Sequence, residues 1–386
     1  MVFKLIFHFR TCRIQRRIRT VFLLMDEEVS NQIVEKCCTV QSGQNLIIEC
    51  MESIYLIKAD GLNAVKITSG VRVKGKDLVG ARFGVRLTVN KKGEIEPTLL
   101  SHQAIAQDMS LGVAYGDGSQ VTFKGDSVCL DNTVISQIKN HSESNMEVVK
   151  KIVGTNKSFG CKTKHSQHKY VMKKLKKHFP IFTLHPCDSY KLSKFYYRNY
   201  PDKICHLRPD RLAHILFHSA ISQNSRVICF ESTHGLVVGA ILERLSSGKL
   251  LQFYTGSEEP HNKALKLLDI STVEHSMVNY SNIDSVFNEH QKTFESLIIV
   301  VNRHPLIIVK NLIRFLIPSS SIVIYSQIVE PLIEIYDYFR RASLGYDMYI
   351  TESWLRNIKV QEESCHPEVT MNDRSGYLFK CFFIGS

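Results

Sequence analysis

The sequence lacks the short motifs that mark the commonest hydrolytic, nucleotide-binding and zinc-dependent sites. It contains no GxSxG, GxxxxGK[ST], HExxH or CxxC pattern. These absences exclude the usual serine-hydrolase elbow, phosphate-binding loop, metalloprotease helix and thiolate zinc site. Eleven cysteines are present, but they are odd in number and scattered without a secretory signal. They predict a reducing compartment rather than a disulfide framework, and no metal site.

Long apolar runs are also missing. No stretch of about 18 uncharged apolar residues occurs, so the sequence predicts no membrane span. Basic residues outnumber acidic ones, with 49 Lys and Arg against 37 Asp and Glu among 386 residues, which gives a net charge of +12. This excess favours a polyanionic partner, nucleic acid first among them, and the length is sufficient for two domains.

Acidic residues are absent from the first 24 positions, where basic residues alternate with Phe and Ile. This composition is typical of a mitochondrial presequence. The alternative is an upstream extension, with translation starting at Met25, and we favour it because the opening Met-Asp-Glu-Glu is ordinary for an N-terminus. Either way, residues 1–30 are predicted to be a disordered extension or presequence.

Glycine and proline are unevenly distributed, with ten of 20 Gly between Gly61 and Gly125 and nine of ten Pro from Pro180 onward. The glycine-rich part has short apolar runs separated by Asp-Gly and Lys-Gly turns, which predict an antiparallel β-barrel-like domain over 31–140. The predicted strands are 45–50, 53–58, 71–73, 83–89 and 120–123.

The segment from Val148 to Cys187 has ten Lys and no acid. We interpret residues 141–190 as a basic helical linker. Val171 and Leu175 have helical spacing and are expected to dock, with Met172 as a further candidate, while the lysines remain in solvent. A merely solvated charge run is the alternative, but so many uncompensated charges favour a polyanion.

Beyond Pro209 apolar, β-branched runs alternate with helical stretches. This predicts a mostly parallel sheet that is covered on both faces, over 191–386. The predicted strands are 226–230, 250–254, 297–301, 322–326, 348–354 and 377–384, and the predicted helices are 235–245, 261–268, 306–316 and 330–342. No helix separates the last two strands, so they are expected to pair antiparallel at one edge.

A class I methyltransferase binds S-adenosylmethionine at the turn after the first strand of this sheet. That turn usually contains an acidic residue followed by three alternate glycines. Here Glu231 and Gly235 keep that pattern, whereas Thr233 and Val237 replace the flanking glycines. The next strand ends in Thr255-Gly256 instead of an acid. The strand ending at Val301 is followed by Asn302, which cannot act as a general base. The sequence therefore predicts an α+β two-domain protein whose C-terminal domain has a Rossmann-like class I methyltransferase fold with a degenerate cofactor site.

Several segments resemble the non-catalytic, tRNA-binding subunit of the eukaryotic tRNA (adenine-58-N1)-methyltransferase. The resemblance runs from about 167 to 383 and fits the first domain more loosely. Its carriers are QHKYVMKK at 167–174, KICHLR at 203–208 with Asp210 and Leu212-Ala213, ESTHGLVVGAILER at 231–244, VEPL at 329–332, and TESWLRN at 351–357 followed by His366-Pro367.

The resemblance implies a subunit without catalytic residues or cofactor of its own. S-adenosylmethionine would bind to a catalytic partner, and two copies of each chain would form a nuclear heterotetramer that holds tRNA. The family's acidic insertion is nearly absent here, since only 283–295 stand in its place. The residues expected to contact tRNA phosphates are Lys169, Lys173, Lys174, Lys176, Lys177 and Arg303. Trp354 is expected in the core or at the partner interface rather than as a platform for base stacking, and Arg356 beside it could pair across that interface. Arg303 and His304 are expected to contact RNA or the partner, with a packed structural pair as the alternative.

Two other functions remain open from the sequence. The chain could be an active S-adenosylmethionine-dependent RNA methyltransferase with a divergent cofactor turn, or a general RNA-binding factor that acts without a partner.

Overall fold

The computed structural model describes residues 38–385, apart from 52, 69–70, 111–115, 117–131, 143, 157–158, 257–259, 271–272, 290–291, 362–363 and 370–374. The N-terminal extension and the strand predicted at 120–123 lie outside the described residues. The described chain divides into two compact units between Pro186 and Cys187.

The first unit contains a five-stranded antiparallel sheet and a separate hairpin. Its strands are β1 Asn45–Cys50, β2 Ser53–Lys58, β3 Ala64–Thr68, β4 Val71–Lys74, β5 Arg86–Val89, β6 Ile95–Pro97 and β7 Ile181–Pro186. The sheet order is β2-β1-β7-β5-β6, and β3 pairs with β4. The strands predicted at 45–50 and 53–58 are confirmed. The barrel-like closure stays a prediction, because β2 and β6 are the edges of the described sheet.

The helices of this unit are α1 His102–Ser110, α2 Asn132–His141, α3 Asn145–Gly154 and α4 Lys164–His178. As predicted, Val171 and Leu175 are fully buried, and they pack with residues of α1 and α3 in one apolar cluster. Thr163 caps α4 by accepting a hydrogen bond from the Ser166 amide, and basic residues fill its last turn, where the helix dipole favours them.

The structure differs from the linker predicted over 141–190. β7 lies in the middle of the sheet, where it pairs antiparallel with β1 on one side and β5 on the other. Phe182 and Leu184 are buried in the core of the first unit. The segment cannot be a free linker, because its removal would take the central strand and its apolar side chains out of this core.

The second unit contains a seven-stranded sheet. Its strands are β8 Arg226–Glu231, β9 Lys249–Tyr254, β10 Glu274–Asn279, β11 Phe294–Val300, β12 Leu316–Ser326, β13 Gly345–Glu352 and β16 Tyr377–Phe383, and a separate hairpin is made by β14 Ile358–Gln361 and β15 Ser364–Pro367. The order is β10-β9-β8-β11-β12-β16-β13. The first five are parallel, whereas β16 runs antiparallel to β12 and β13, which confirms the predicted antiparallel pair at one edge.

Helices cover both faces of this sheet, as the unbroken apolar strands predict. They are α5 Ser189–Asn199, α6 Pro209–His218, α7 Leu236–Leu242, α8 Ile283–Glu289, α9 Leu306–Leu312 and α10 Glu330–Arg341. One apolar cluster joins α5, α6 and α7 to one face. A second cluster joins α8, α9 and α10 to the other. Within the described ranges, no helix is both long and apolar enough to cross a membrane.

The helix predicted at 261–268 is wrong, because the structure has only one 3-10 turn there, at Leu265–Leu267. Asn262 adopts a positive φ of 42°, which an α-helix does not allow. Its buried side-chain amide donates a hydrogen bond to Gln252 Oε1 at 2.9 Å. This local bond replaces the helical turn and brings the segment over the end of β9.

Candidate functional site

The turn after β8 is closed by its own first residue. One carboxylate oxygen of Glu231 accepts hydrogen bonds from the Thr233 amide at 2.5 Å and from the Thr233 hydroxyl. The other accepts from the Gly235 amide at 2.8 Å. Both oxygens therefore satisfy backbone donors of the same loop, and the carboxylate acts as an internal cap.

Thr233 and Val237 fill the positions where a methyltransferase turn needs glycine. Both side chains are fully buried. The Thr233 hydroxyl also accepts a hydrogen bond from the Val237 amide at 3.2 Å, which joins the turn to the first residues of α7. The two substitutions predicted from the sequence are thus part of the packed interior, and no open cradle remains between them.

Gly235 is the one residue of the turn whose backbone requires glycine. Its φ is +87°, and an added Cβ would lie 2.9 Å from Asn262 Cβ and 3.0 Å from Leu265 Cβ. The Ala264 amide donates to the His234 carbonyl at 2.9 Å. The segment after β9 is therefore packed directly on the turn, in the space above the carboxyl ends of the strands.

A buried amide pair supports this packing. Gln252 and Asn262 bond to each other through their side-chain amides, and His275 Nε2 lies 3.0 Å from Gln252 Oε1. Burial lowers the pKa of His275 below its usual value. No local spacing in the sequence points to this group, because its members come from β9, β10 and the loop between them.

Burial raises the pKa of Glu231 above its usual value, and the hydrogen bonds from Thr233 and Gly235 partly oppose this effect. Desolvation penalises the charged carboxylate, whereas donors aimed at it favour the charge. The net direction shows that burial outweighs the hydrogen bonds in its effect on this pKa.

β11 ends beside this turn, since the Ser232 amide donates a hydrogen bond to the Val300 carbonyl at 2.8 Å. Arg303 and His304 are exposed. His304 Nδ1 accepts a hydrogen bond from the Leu306 amide at 3.4 Å, and its Nε2 lies 3.2 Å from a carboxylate oxygen of Glu334 on α10. His304 therefore has a structural partner, whereas Arg303 projects from the strand end without an ion pair to any described carboxylate.

The five lysines predicted to bind polyanion all lie on α4, but they are not equivalent. Lys169, Lys173 and Lys177 recur every four residues and form one exposed row, which we call the lysine row. Lys174 and Lys176 are half-buried, and Lys174 Nζ lies 5.2 Å from the ring centroid of Tyr170. No described carboxylate forms an ion pair with the lysine row, so its charge is available to an external anion.

Trp354 lies outside the core, since 75% of its surface is exposed, and a core position is therefore wrong. The Arg356 guanidinium lies 5.8 Å from the Trp354 ring centroid. Both precede the β14–β15 hairpin, and residues 354–361 and 364–369 together form what we call the arm. Its exposed apolar side chains are Trp354, Leu355, Ile358, Val360 and Val369. Exposed apolar side chains that form one continuous patch are typical of an interaction site.

Metal ligands do not converge in the part of the chain that the structure describes, where no three His, Cys, Asp or Glu side chains could share an ion.

The fold and the turn define the class of this protein: a class I methyltransferase-like sheet whose cofactor turn is filled by side chains. Solved structures support the fold. The chain is similar to the tRNA (m1A58) methyltransferase TrmI from Aquifex aeolicus, with a TM-score of 0.50 and 13% identity over 90% of this chain and 100% of that one. It is also similar to an S-adenosylmethionine-dependent O-methyltransferase from Thermotoga maritima, with a TM-score of 0.54 and 10% identity over 91% and 97% of the two chains.

The particular family follows from the sequence match. The chain belongs to the Gcd10p family, whose profile matches residues 39–300. It is 24% identical to the mouse tRNA (adenine(58)-N(1))-methyltransferase non-catalytic subunit TRM6, over 80% of this chain and 81% of that protein. It is 26% identical to the Dictyostelium discoideum protein of the same description, over 63% of this chain and 59% of that one.

Proposed function

We propose that this chain is the non-catalytic subunit of a tRNA (adenine-58-N1)-methyltransferase, which binds tRNA and assembles with a catalytic subunit. The observation that carries the proposal is the closed turn at Glu231 to Val237 inside a methyltransferase sheet. The Gcd10p family match and the relatives described as non-catalytic subunits agree with it.

The turn residues do not fit S-adenosylmethionine. A bound cofactor needs open backbone and acceptors for its hydroxyl groups. Here both carboxylate oxygens of Glu231 accept hydrogen bonds from its own loop, and Asn262 and Leu265 occupy the space over Gly235. We therefore assign the cofactor to the catalytic partner and derive no chemical step in this chain.

The lysine row supports the tRNA-binding part of the proposal. Three exposed ammonium groups one helical turn apart can each neutralise a phosphate, which fixes a strand in place without reading its sequence. Arg303 at the end of β11 is a second candidate contact on the other unit.

The arm supports assembly with a partner. Its apolar side chains are exposed in the isolated chain, and Trp and Arg are the residue types that dominate protein interfaces. His304, held by Glu334, is a further candidate at the partner interface or in the structure. We place the chain in a heterotetramer with two copies of each subunit, in the nucleus.

The test is N1-methyladenosine formation on a tRNA transcript, with this chain alone, the catalytic subunit alone and both together. We expect product only from the mixture. Product from this chain alone would show that an active methyltransferase with a divergent turn is the correct function. Full activity of the catalytic subunit alone would remove the need for this chain.

A further inference from the structure

The closed turn is flanked by two chain segments from the same unit. On one side Cys205 Sγ donates to the Ser232 carbonyl at 3.6 Å, which places residues 200–206 against the turn. On the other side the Ala264 amide bonds to the His234 carbonyl. His234 lies between them at the tip, exposed and with a positive φ of 56°. We call this surface the turn mouth, defined by Tyr200, Lys203, His234 and Lys263.

The turn mouth is positively charged. Lys203 and Lys263 are both exposed, and neither forms an ion pair with a described carboxylate. The pKa of His234 is lowered first by burial and then by the charges of these two lysines, which agrees with their positions on either side of it. The acidic residue next to Lys203 is Asp202, and one of its carboxylate oxygens lies 2.8 Å from His206 Nε2. Glu258 and Glu259 lie outside the described residues.

An aromatic ring accompanies the charge. Tyr200 is 47% exposed, and Lys203 Nζ lies 4.4 Å from its ring centroid. Arg198 is exposed two residues earlier, at the end of α5. Proteins that hold single-stranded or distorted nucleic acid combine cationic side chains for the backbone with an aromatic face for a base. A basic patch alone would suit any anion, and a half-exposed ring beside it adds a surface on which a base can stack.

We propose that the turn mouth is a second RNA-docking surface, on which Lys203 and Lys263 bind phosphates and Tyr200 stacks with an unpaired base. The inference rests on the proposed tRNA-binding function and deepens it, because it assigns RNA contact to the place where a catalytic relative would open its cofactor site. With the cofactor space filled by Thr233, Val237 and Asn262, the same loops present positive charge to the outside.

The experiment uses the assembled complex and a fluorescent tRNA transcript. Anisotropy titrations give the Kd between about 50 and 200 mM salt, a range in which each phosphate contact changes log Kd against log salt by about 0.7 to 0.9 units. The test variant is Lys203→Ala with Lys263→Ala. The control is Lys310→Ala with Arg340→Ala. It removes the same charge from the opposite face of the sheet, and Lys310 also lies over a tyrosine, Tyr338, at 4.8 Å.

We expect the test variant to weaken tRNA binding roughly tenfold and to lower the salt slope by about 1.4 to 1.8 units, since two phosphate contacts are lost. The control should match the wild type. A second variant, Lys203→Glu with Lys263→Glu, should weaken binding further. If both variants bind as the control does while the wild-type chain still adds affinity to the complex, the turn mouth is not an RNA surface.

Failure of the underlying function would look different. In that case the complex containing this wild-type chain would bind tRNA no more tightly than the catalytic subunit alone. Size-exclusion chromatography of each variant complex separates loss of RNA contact from loss of assembly.

Discussion

At the scale of single residues, Glu231 has a structural role in the turn after β8. Its two oxygens accept donors from Thr233 and Gly235, so removing the carboxylate would leave buried amides without partners. Such unpaired groups cost about 1–3 kcal/mol each. These hydrogen bonds are sufficient to account for an acidic residue at this position.

The first prediction concerns the pH dependence of stability at Glu231. The folded-state pKa is raised above 4.5, so the native chain holds the proton more tightly than the unfolded chain does. The stabilising effect of the proton is present below about pH 4.5 and is lost as the pH rises through the raised value. Relative to Glu231→Gln, the wild type should therefore gain stability as the pH falls from 7 towards 5.

Urea unfolding of both proteins across this range measures the difference. The test is how the stability difference between the two proteins changes with pH, and not its absolute size. The reason is that the Gln amide also alters the hydrogen bonding to Thr233 at every pH. A difference that stays flat with pH would contradict the raised pKa.

The second prediction concerns Gly235→Ala. The positive φ of 87° and the close approach of Asn262 and Leu265 both oppose a Cβ, so we expect the unfolding free energy to fall by about 1–3 kcal/mol. Gly154→Ala is the control, because nothing lies within 4 Å of its added Cβ. Equal stability of the two variants would show that the turn is more open than the structure describes.

The residues that replace glycine in the turn could be predicted from the sequence, but the residues that pack over the turn could not. Thr233 and Val237 stand at glycine positions of a known pattern, so their effect could be predicted from one segment. Asn262 could not, because its pairing with Gln252 depends on a loop conformation that no local spacing encodes. The same is true of Lys203, which comes within the electrostatic reach of His234 only through folding.

At the scale of elements, the pattern of apolar residues predicted the strands correctly where their side chains are buried. β1 and β2 were predicted at the observed bounds, since their side chains alternate or fill the core. β10 was missed, because an edge strand with the sequence EHSMVN has no strong apolar run. β7 was assigned to a linker for a related reason: it directly follows the lysines of α4, and its partners β1 and β5 lie far away in sequence.

The third prediction concerns the arm. Trp354→Ala with Val360→Ser removes two side chains that are mostly exposed, so the stability of the isolated chain should change by less than about 0.5 kcal/mol. If the arm contacts the catalytic subunit, the Kd of the complex should rise at least about tenfold, as truncation of a tryptophan at an interface typically causes.

Calorimetric titration of the catalytic subunit into each variant measures this effect. Leu62→Ser with Leu99→Ser is the matched control, since both side chains are exposed apolar residues of the first unit. If this control weakens the complex as much as the arm variant does, general surface hydrophobicity rather than the arm controls assembly.

At the scale of the whole molecule, two features of the chain separate binding from chemistry. Positive charge is spread over both units, in the lysine row of the first and at the turn mouth of the second, whereas the cofactor space is filled. The net charge of +12 was visible in the composition, but its division between two surfaces was not. A chain built in this way can hold RNA for a partner without competing for the cofactor.

The last prediction follows from that division. If only the catalytic subunits bind S-adenosylmethionine, as we propose, and the complex has two copies of each chain, it should bind about one cofactor for every two chains. Equilibrium dialysis of the assembled complex with labelled cofactor gives this ratio, and the isolated chain should retain none above a protein-free control. Thr233→Gly with Val237→Gly should not restore binding, since Asn262 and Leu265 still cover Gly235. One cofactor per chain would mean that the segment after β9 moves off the turn, and that this fold keeps a second working site.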